Sequence, residues 1–507
     1  MSKLPSVCRW RFARSAFQAG LSVILTLGLA TPLNAQVLAT DQPFASDPVG
    51  GHDLRCETVP SAEQWAWLQA LQNDDDALAA AARGGTQYIK VKAHVIGTES
   101  FTGYYRLQYL LESICRLNDQ FAPTGLYFYL DLPVERYEND SWHDLTFSAG
   151  NGMMISNNVD DALNVYYAGN IESNTIAGYY SPGVDGVAMA LSAASPNANT
   201  LAHEFGHFFS LPHTFYGWEW GTPSASAQER VDGSNCSSAA DGFCDTPPDY
   251  APYRWSCPTV GPFTDPDGVD FLVQDSFYMS YGGNACLAEF SPDQSAAMRA
   301  NTLGPHAYTV GSIVPDFPNE YDTARLLEPA DGSILVPPIG QRFRWSTVPG
   351  AVAYQVSIGF NGIFSAIAEE EIVTDTAWTA VRLPEDRNFY WRVKPLFEGN
   401  TCEPYGDVFT FRTGEIVSPT GFEAAVAALH PPFPNPVSSG RSLQVELPEP
   451  GAWTIRWLDA SGRVWQSEAV EAPAKSLRLT APTVPGWYVL ALQGTDGRVM
   501  RSAVQVQ

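Results

Sequence analysis

Positive charge is scarce in this chain: 29 basic side chains stand against 55 acidic ones, a net charge of −26 over 507 residues. Such an imbalance argues against nucleic acid or an anionic membrane as partner, and it fits a chain kept soluble outside the cell. Long apolar runs are missing too, since nothing after the first thirty residues approaches the length of a membrane span. Wholesale disorder is excluded by a 45% hydrophobic content, and the length is too great for one ordinary core, so several domains are expected.

The N-terminus carries Lys3, Arg9, Arg11 and Arg14, an apolar run from Ala16 to Ala30, and then Thr31-Pro32-Leu33-Asn34-Ala35-Gln36. This pattern predicts a secretory signal peptide over 1–35, cut after Ala35; the rival, an uncleaved anchor, is short for a span. Export implies an oxidising compartment in which cysteines pair. Of the eight cysteines, Cys8 leaves with the signal, and the remainder, Cys56, Cys115, Cys236, Cys244, Cys257, Cys286 and Cys402, is odd in number, so at least one thiol is left over.

Histidine is rare, yet His203, His207 and His213 crowd into one short stretch, His203-Glu204-Phe205-Gly206-His207-Phe208-Phe209-Ser210-Leu211-Pro212-His213. Two histidines four apart on a helix project from one face and can reach one metal ion, while the third arrives from beyond the helix end. Glu204, next to the first ligand, is placed to act on a zinc-bound water as general base. Phe205, Phe208 and Phe209 make the helix a buried one. The spacing of the third histidine is that of the extended metzincin pattern, although Ser210 stands where glycine is usual for a left-handed turn. Serine takes that backbone at a cost of roughly 1–2 kcal/mol.

Downstream, Phe277-Tyr278-Met279-Ser280-Tyr281 resembles the methionine turn of metzincins, with Met279 beneath the metal. Together with Glu229-Arg230-Val231-Asp232-Gly233-Ser234-Asn235-Cys236, Asp241-Gly242-Phe243-Cys244-Asp245-Thr246-Pro247 and Cys286, residues 86–309 are similar to the pappalysin family of metallopeptidases. The resemblance implies an α/β (α+β) zinc peptidase domain and a protein or peptide substrate. It also implies that Tyr281 helps hold the oxyanion, and that Cys236 pairs with Cys244 and Cys257 with Cys286. Relatives with an acidic residue just before the last cysteine favour a basic residue after the cut, a preference not carried over because Ala285 stands there. The family includes zymogens silenced by a cysteine on the zinc, so Cys56 has two readings, a latency switch or a disulfide with Cys115 or Cys402. Members also use calcium, for which Asp241, Asp245 and Asp249 offer oxygens; the same aspartates serve equally as loop caps.

Residues 36–85 read as a prosegment with a helix over 62–71, an acidic Asp74-Asp75-Asp76 and a cleavable end at Arg83-Gly84-Gly85. Strands are expected over 88–96, 125–132, 161–167 and 186–191, and an amphipathic helix over 105–121. Two all-β sandwich domains follow. Phe343-Arg344-Trp345, Ala353-Tyr354-Gln355-Val356 and Phe389-Tyr390-Trp391-Arg392-Val393 resemble strands of a fibronectin type III-like module over 325–414, a spacer or binding surface. After a linker at about 415–427, residues 428–507 open on His430-Pro431-Pro432-Phe433-Pro434-Asn435-Pro436 and contain the Asp459–Gly462 turn and a Gly486-Trp487-Tyr488 strand. They resemble the C-terminal sorting domain of type IX secretion, which implies that machinery as a partner and release from, or attachment to, a bacterial outer membrane. The expected function is a secreted zinc endopeptidase. Its competitor is a secreted adhesin with a non-catalytic zinc domain.

Overall fold

The computed structural model describes residues 55–56, 58–217, 228–250, 257–258, 261–265, 267–272, 274–317, 322–335, 339–414, 427–428, 432–459, 464–495 and 499–507. The expected signal peptide, the start of the prosegment, most of the 415–427 linker and most of the Asp459–Gly462 turn lie outside them.

A seven-stranded sheet organises the first half. Its strands are β1 Arg55–Cys56, β2 Gln87–Gly97, β3 Leu126–Leu130, β4 Glu135–Glu138, β5 Leu163–Ala168, β6 Ile176–Ser181 and β7 Gly186–Ala190. They run in the order β1-β6-β7-β5-β2-β3, with β4 also paired to β2. Only β6 and β7 pair antiparallel; the other neighbours are parallel. Parallel strands are covered on both faces and therefore lose alternation, which is why all six residues of β5 and all five of β7 are buried.

One face is covered by α3 Leu107–Phe121 and by α5 Thr200–Phe208; α1 Ala62–Gln72, α2 Asp75–Ala82 and α4 Phe147–Asn157 precede α5 in the chain, and α6 Pro292–Asn301 follows it. Leu107, Leu110, Leu111, Ile114, Leu117 and Phe121 give α3 one apolar stripe, all of it buried. Against it Phe205 and Phe209 of the histidine segment pack on Phe128, at ring-centroid distances of 5.3 and 6.2 Å. The expected elements lie within two or three residues of those observed. The alanine run after Asp74 forms α2, capped by the Asp74 side chain on Ala77 N, and β6 and α4 were not anticipated.

Two β-sheet modules follow. In the first, a three-stranded sheet (Leu326–Glu328, Ile339–Trp345, Ala377–Arg382) and a five-stranded sheet (Ser333–Leu335, Ala351–Gly359, Ile367–Val373, Asn388–Phe397, Phe409–Thr413) share a core of Phe343, Trp345, Tyr354, Val356, Phe389, Trp391 and Phe411. In the second, a five-stranded and a two-stranded sheet enclose Trp453, Ile455, Trp457, Leu490 and Val504. Strand Val464–Ala472 of that module was not anticipated.

The 325–414 module is fastened to the peptidase half. Cys115 on α3 is bonded to Cys402, 287 residues away in sequence. Arg136 pairs with Glu371 at 2.9 Å, and Arg392 Nη2 donates to Gln108 Oε1 at 2.9 Å. The N-cap of α3, Arg106, makes no side-chain cap. Glu370 supplies it from the module, accepting from Leu107 N at 2.6 Å and Gln108 N at 3.2 Å.

Candidate metal centre

The α5 helix delivers the first two histidines and the chain reversal after it delivers the third. Leu211 N closes the reversal on Gly206 O at 3.0 Å, and Ser210 sits at φ 70° in the left-handed region. The strain expected of serine there is offset by its hydroxyl, which accepts from Asn301 Nδ2 at 2.9 Å and from Gln64 Nε2 at 3.4 Å. A hydroxyl with two donors is the physical reason a side chain is tolerated where glycine is usual.

Nε2 of His207 lies 3.1 Å from Nε2 of His203 and 3.1 Å from Nε2 of His213. A tetrahedral ion with nitrogens about 2.0–2.1 Å away would separate them by about 3.3 Å, so the three atoms stand on the edges of such a site. Nδ1 of His203 faces Tyr278 O at 2.6 Å and Nδ1 of His207 faces Leu211 O at 2.8 Å. Each of these two Nδ1 atoms must carry the proton to bond a carbonyl, which leaves the Nε2 lone pairs converging in a buried space. Burial first, then His213 and His203, holds the pKa of His207 far below the usual imidazole range. Neutral, converging imidazoles with oriented back sides are a donor set for a zinc ion.

Cys56 Sγ joins them: the four ligand atoms of Cys56, His203, His207 and His213 all lie within 4.8 Å of one another. Among the described residues Cys56 is the one free cysteine; Cys115–Cys402, Cys236–Cys244 and Cys257–Cys286 are bonded. The disulfide reading of Cys56 is thereby corrected, since both of its suggested partners are bonded to each other. The thiol is brought there by β1, which adds as an edge strand beside β6, Cys56 opposite Gly178.

Glu204 is fully buried. Its Oε2 accepts from Thr58 Oγ1 at 3.3 Å and Cys56 Sγ at 3.4 Å, while among the described residues Oε1 accepts no hydrogen bond. Burial pushes its pKa up to about 8, against which the Cys56 and Thr58 hydrogen bonds pull down; a cation alongside would draw it down further. An orphaned carboxylate oxygen at the mouth of a three-imidazole cluster fits a group that moves protons.

Met279 is fully buried, and a Cβ on Gly206 would fall on its sulfur, so that glycine inside the helical motif exists to let the methionine lie under the histidines. The Tyr281 hydroxyl donates to the Cys56 carbonyl at 2.6 Å, and its ring centroid is 5.0 Å from that of His213. Asp249 accepts from Thr214 at 2.7 Å and from Ser280 at 3.0 Å, tying the segment after His213 to the methionine turn. Asp245 accepts from Ser291 Oγ and Asp293 N, both at the start of α6, and Asp241 from Phe243 N and Thr246. Glu229, named in the sequence only as part of a motif and given no role there, is 2% exposed, and among the described residues its Oε2 has no hydrogen bond; burial, then Asp241 and Asp249, raises its pKa to about 9. Thr58, which joins Glu204 to the backbone of Tyr180, was missed in the sequence.

With this geometry in hand, residues 181–302 match the peptidase family model described as pregnancy-associated plasma protein-A. The chain is 28% identical over 267 residues to an extracellular metalloprotease of Colletotrichum graminicola, covering 49% of this chain and 86% of that protein. An extracellular metalloprotease of Pyricularia oryzae is 26% identical over 271 residues, covering 48% and 87%. Among solved structures, a mutant of Tannerella forsythia promirolysin aligns over 50% of this chain and 97% of its own, at 19% identity and a TM-score of 0.36.

Proposed function

We propose that in this chain, a secreted zinc-dependent endopeptidase, His203, His207 and His213 hold the metal and Glu204 is the general base. The single observation that carries the assignment is the convergence of three imidazoles, with His207 Nε2 at 3.1 Å from Nε2 of both His203 and His213, next to the buried carboxylate of Glu204. What zinc supplies when bound is Lewis acidity toward water and toward the scissile carbonyl. Glu204 takes a proton from the attacking water and returns it to the leaving amine; its burial keeps its basicity high enough for both directions. Tyr281 already donates to a peptide carbonyl on the metal-facing strand, which is the contact a substrate carbonyl would receive as charge builds on it. Met279 is a packing element beneath the ligands. Peptide or protein is the substrate class. Nothing catalytic is missing, which removes the ground for the adhesin reading.

The same geometry supports latency. Residues 36–85 form a prosegment, and Cys56 is its switch: the thiol stands among the imidazoles while Thr58 and Cys56 occupy Glu204. Burial, then the charge of Glu204, keeps the thiol protonated when no metal is bound; coordination reverses that preference. The 325–414 module is fibronectin type III-like, supported by its three- and five-stranded sheets around Trp345 and Trp391. The 428–507 module is a type IX sorting domain, supported by its Pro-Asn-Pro opening and its Gly486-Trp487-Tyr488 strand, with attachment at the outer membrane as the corollary. Calcium is a second ion at the Asp241, Asp245 and Asp249 region; the buried Glu229 crowds Asp241 and Asp249, while Asp245 is exposed and accepts from Ser291 and Asp293. Glu204→Gln tests the core of the reading: zinc content should stay at one per chain while hydrolysis of a denatured protein falls by about 10³-fold or more. Retained hydrolysis would remove Glu204 from its role.

A further inference from the structure

Arg299, on α6, is 5% exposed, and among the described residues no carboxylate pairs with it. Its guanidinium instead spends its donors on four backbone carbonyls. Nε donates to Ala81 O at 2.7 Å and Nη2 to Gly85 O at 2.8 Å; Nη1 donates to Thr124 O and Gly125 O, each at 3.2 Å. Two of these carbonyls belong to the end of α2 and the segment after it, and two to the turn between α3 and β3. The slot is shaped for a flat cation, since a Cβ on Gly84 would fall on Nη2 and one on Gly125 on Nη1. Gly125 also needs its φ of 74°. Between the clamped carbonyls of Ala81 and Gly85, Ala82, Arg83 and Gly84 are exposed, with Arg83 ending the helix.

We propose that Arg299 is a binding site for the peptide backbone of residues 81–85, a second attachment that holds the prosegment on the peptidase domain independently of the Cys56 thiol. It rests on reading residues 36–85 as a prosegment. The contact is made to carbonyls, so it reads the course of the chain and not its side chains, and it grips both sides of the exposed Arg83-Gly84 bond. Cutting that bond therefore leaves Ala81 held, and α2 stays seated after the first cleavage. A buried guanidinium needs acceptors in both states, so departure of the fragment upstream of that bond takes the Ala81 carbonyl from Nε while Nη2 keeps Gly85 O, and the freed Nε must find another acceptor.

Hydrogen exchange on the full chain carrying Glu204→Gln tests this without using peptidase activity or zinc loading. Each hydrogen bond to a charged group changes an opening equilibrium by roughly tenfold or more. Arg299→Leu should therefore speed exchange of the α2 amides by at least about tenfold, while the α5 amides keep their protection. Gly84→Val, which fills the slot from the opposite side and leaves α6 and Arg299 themselves unchanged, should do the same. Cys56→Ala should loosen β1 and leave α2 protected, and trypsin nicking after Arg83 should leave the upstream fragment co-eluting with the remainder. Unchanged α2 exchange in Gly84→Val, or loss of α2 protection in Cys56→Ala alone, would overturn the proposal. Should Arg299→Leu also strip protection from α5, the Gly84→Val result decides.

Discussion

Glu370→Ala should weaken the peptidase half although residue 370 lies in the β-sheet module. The α3 helix presents Leu107 N and Gln108 N with no cap of its own, and both amides are taken by the Glu370 carboxylate. Loss of an N-cap costs about 0.5–2 kcal/mol, and a partly buried anion at a helix N-terminus contributes up to about 2 kcal/mol. Glu370→Ala removes both effects and should cost about 2–3 kcal/mol, a fall of roughly 5–10 °C in the transition of a domain of this size. Glu370→Gln should cost about 1 kcal/mol or less. The reason is that burial raises the pKa of Glu370, so its charged form carries a desolvation cost that the amide variant escapes. Scanning calorimetry with hydrogen exchange at residues 107–111 is the assay. Because Cys115–Cys402 still holds the module after the cap is lost, adding Cys115→Ser and Cys402→Ser to Glu370→Ala should destabilise by more than the separate losses combined. Unchanged exchange at the start of α3 in Glu370→Ala would refute the reasoning.

Gly206→Ala should keep zinc binding but lower both stability and turnover, at a cost of about 1–3 kcal/mol for forcing Met279 aside; a melting curve beside an activity assay checks it, and a variant indistinguishable from the parent would contradict the packing role. Removing calcium with a chelator selective over zinc should lower the melting temperature, because burial makes the charged forms of Glu229 and Asp241 costly without a cation, and the ion's binding energy is lost from the folded state. An unchanged transition would leave those carboxyls as loop caps.

What was legible in the sequence followed from local periodicity and from motif spacing. The stripe of α3 and the His203–His213 segment announce themselves because helix pitch fixes which side chains share a face. The cap from Glu370, the clamp by Arg299 and the Thr58 contact to Glu204 were not legible, since each joins residues more than a hundred positions apart, and the first two also use backbone groups that carry no sequence signal. Strand β6 was hidden because Ile176-Ala177-Gly178-Tyr179-Tyr180 is buried on both faces and shows no alternation. Ser210 was readable as a departure from glycine, but its two hydrogen-bond donors, from α6 and α1, were not. The tie between the module and the peptidase half was hidden for the same reason: nothing local in 325–414 reveals that Cys402 reaches α3.

X-ray absorption at the zinc edge of the purified full chain tests the central claim most directly. The account predicts one zinc per chain with three imidazole nitrogens at about 2.0–2.1 Å and one sulfur at about 2.3 Å, the sulfur giving way to oxygen in Cys56→Ala. A metal-free protein, or a zinc shell without three imidazoles, would contradict it.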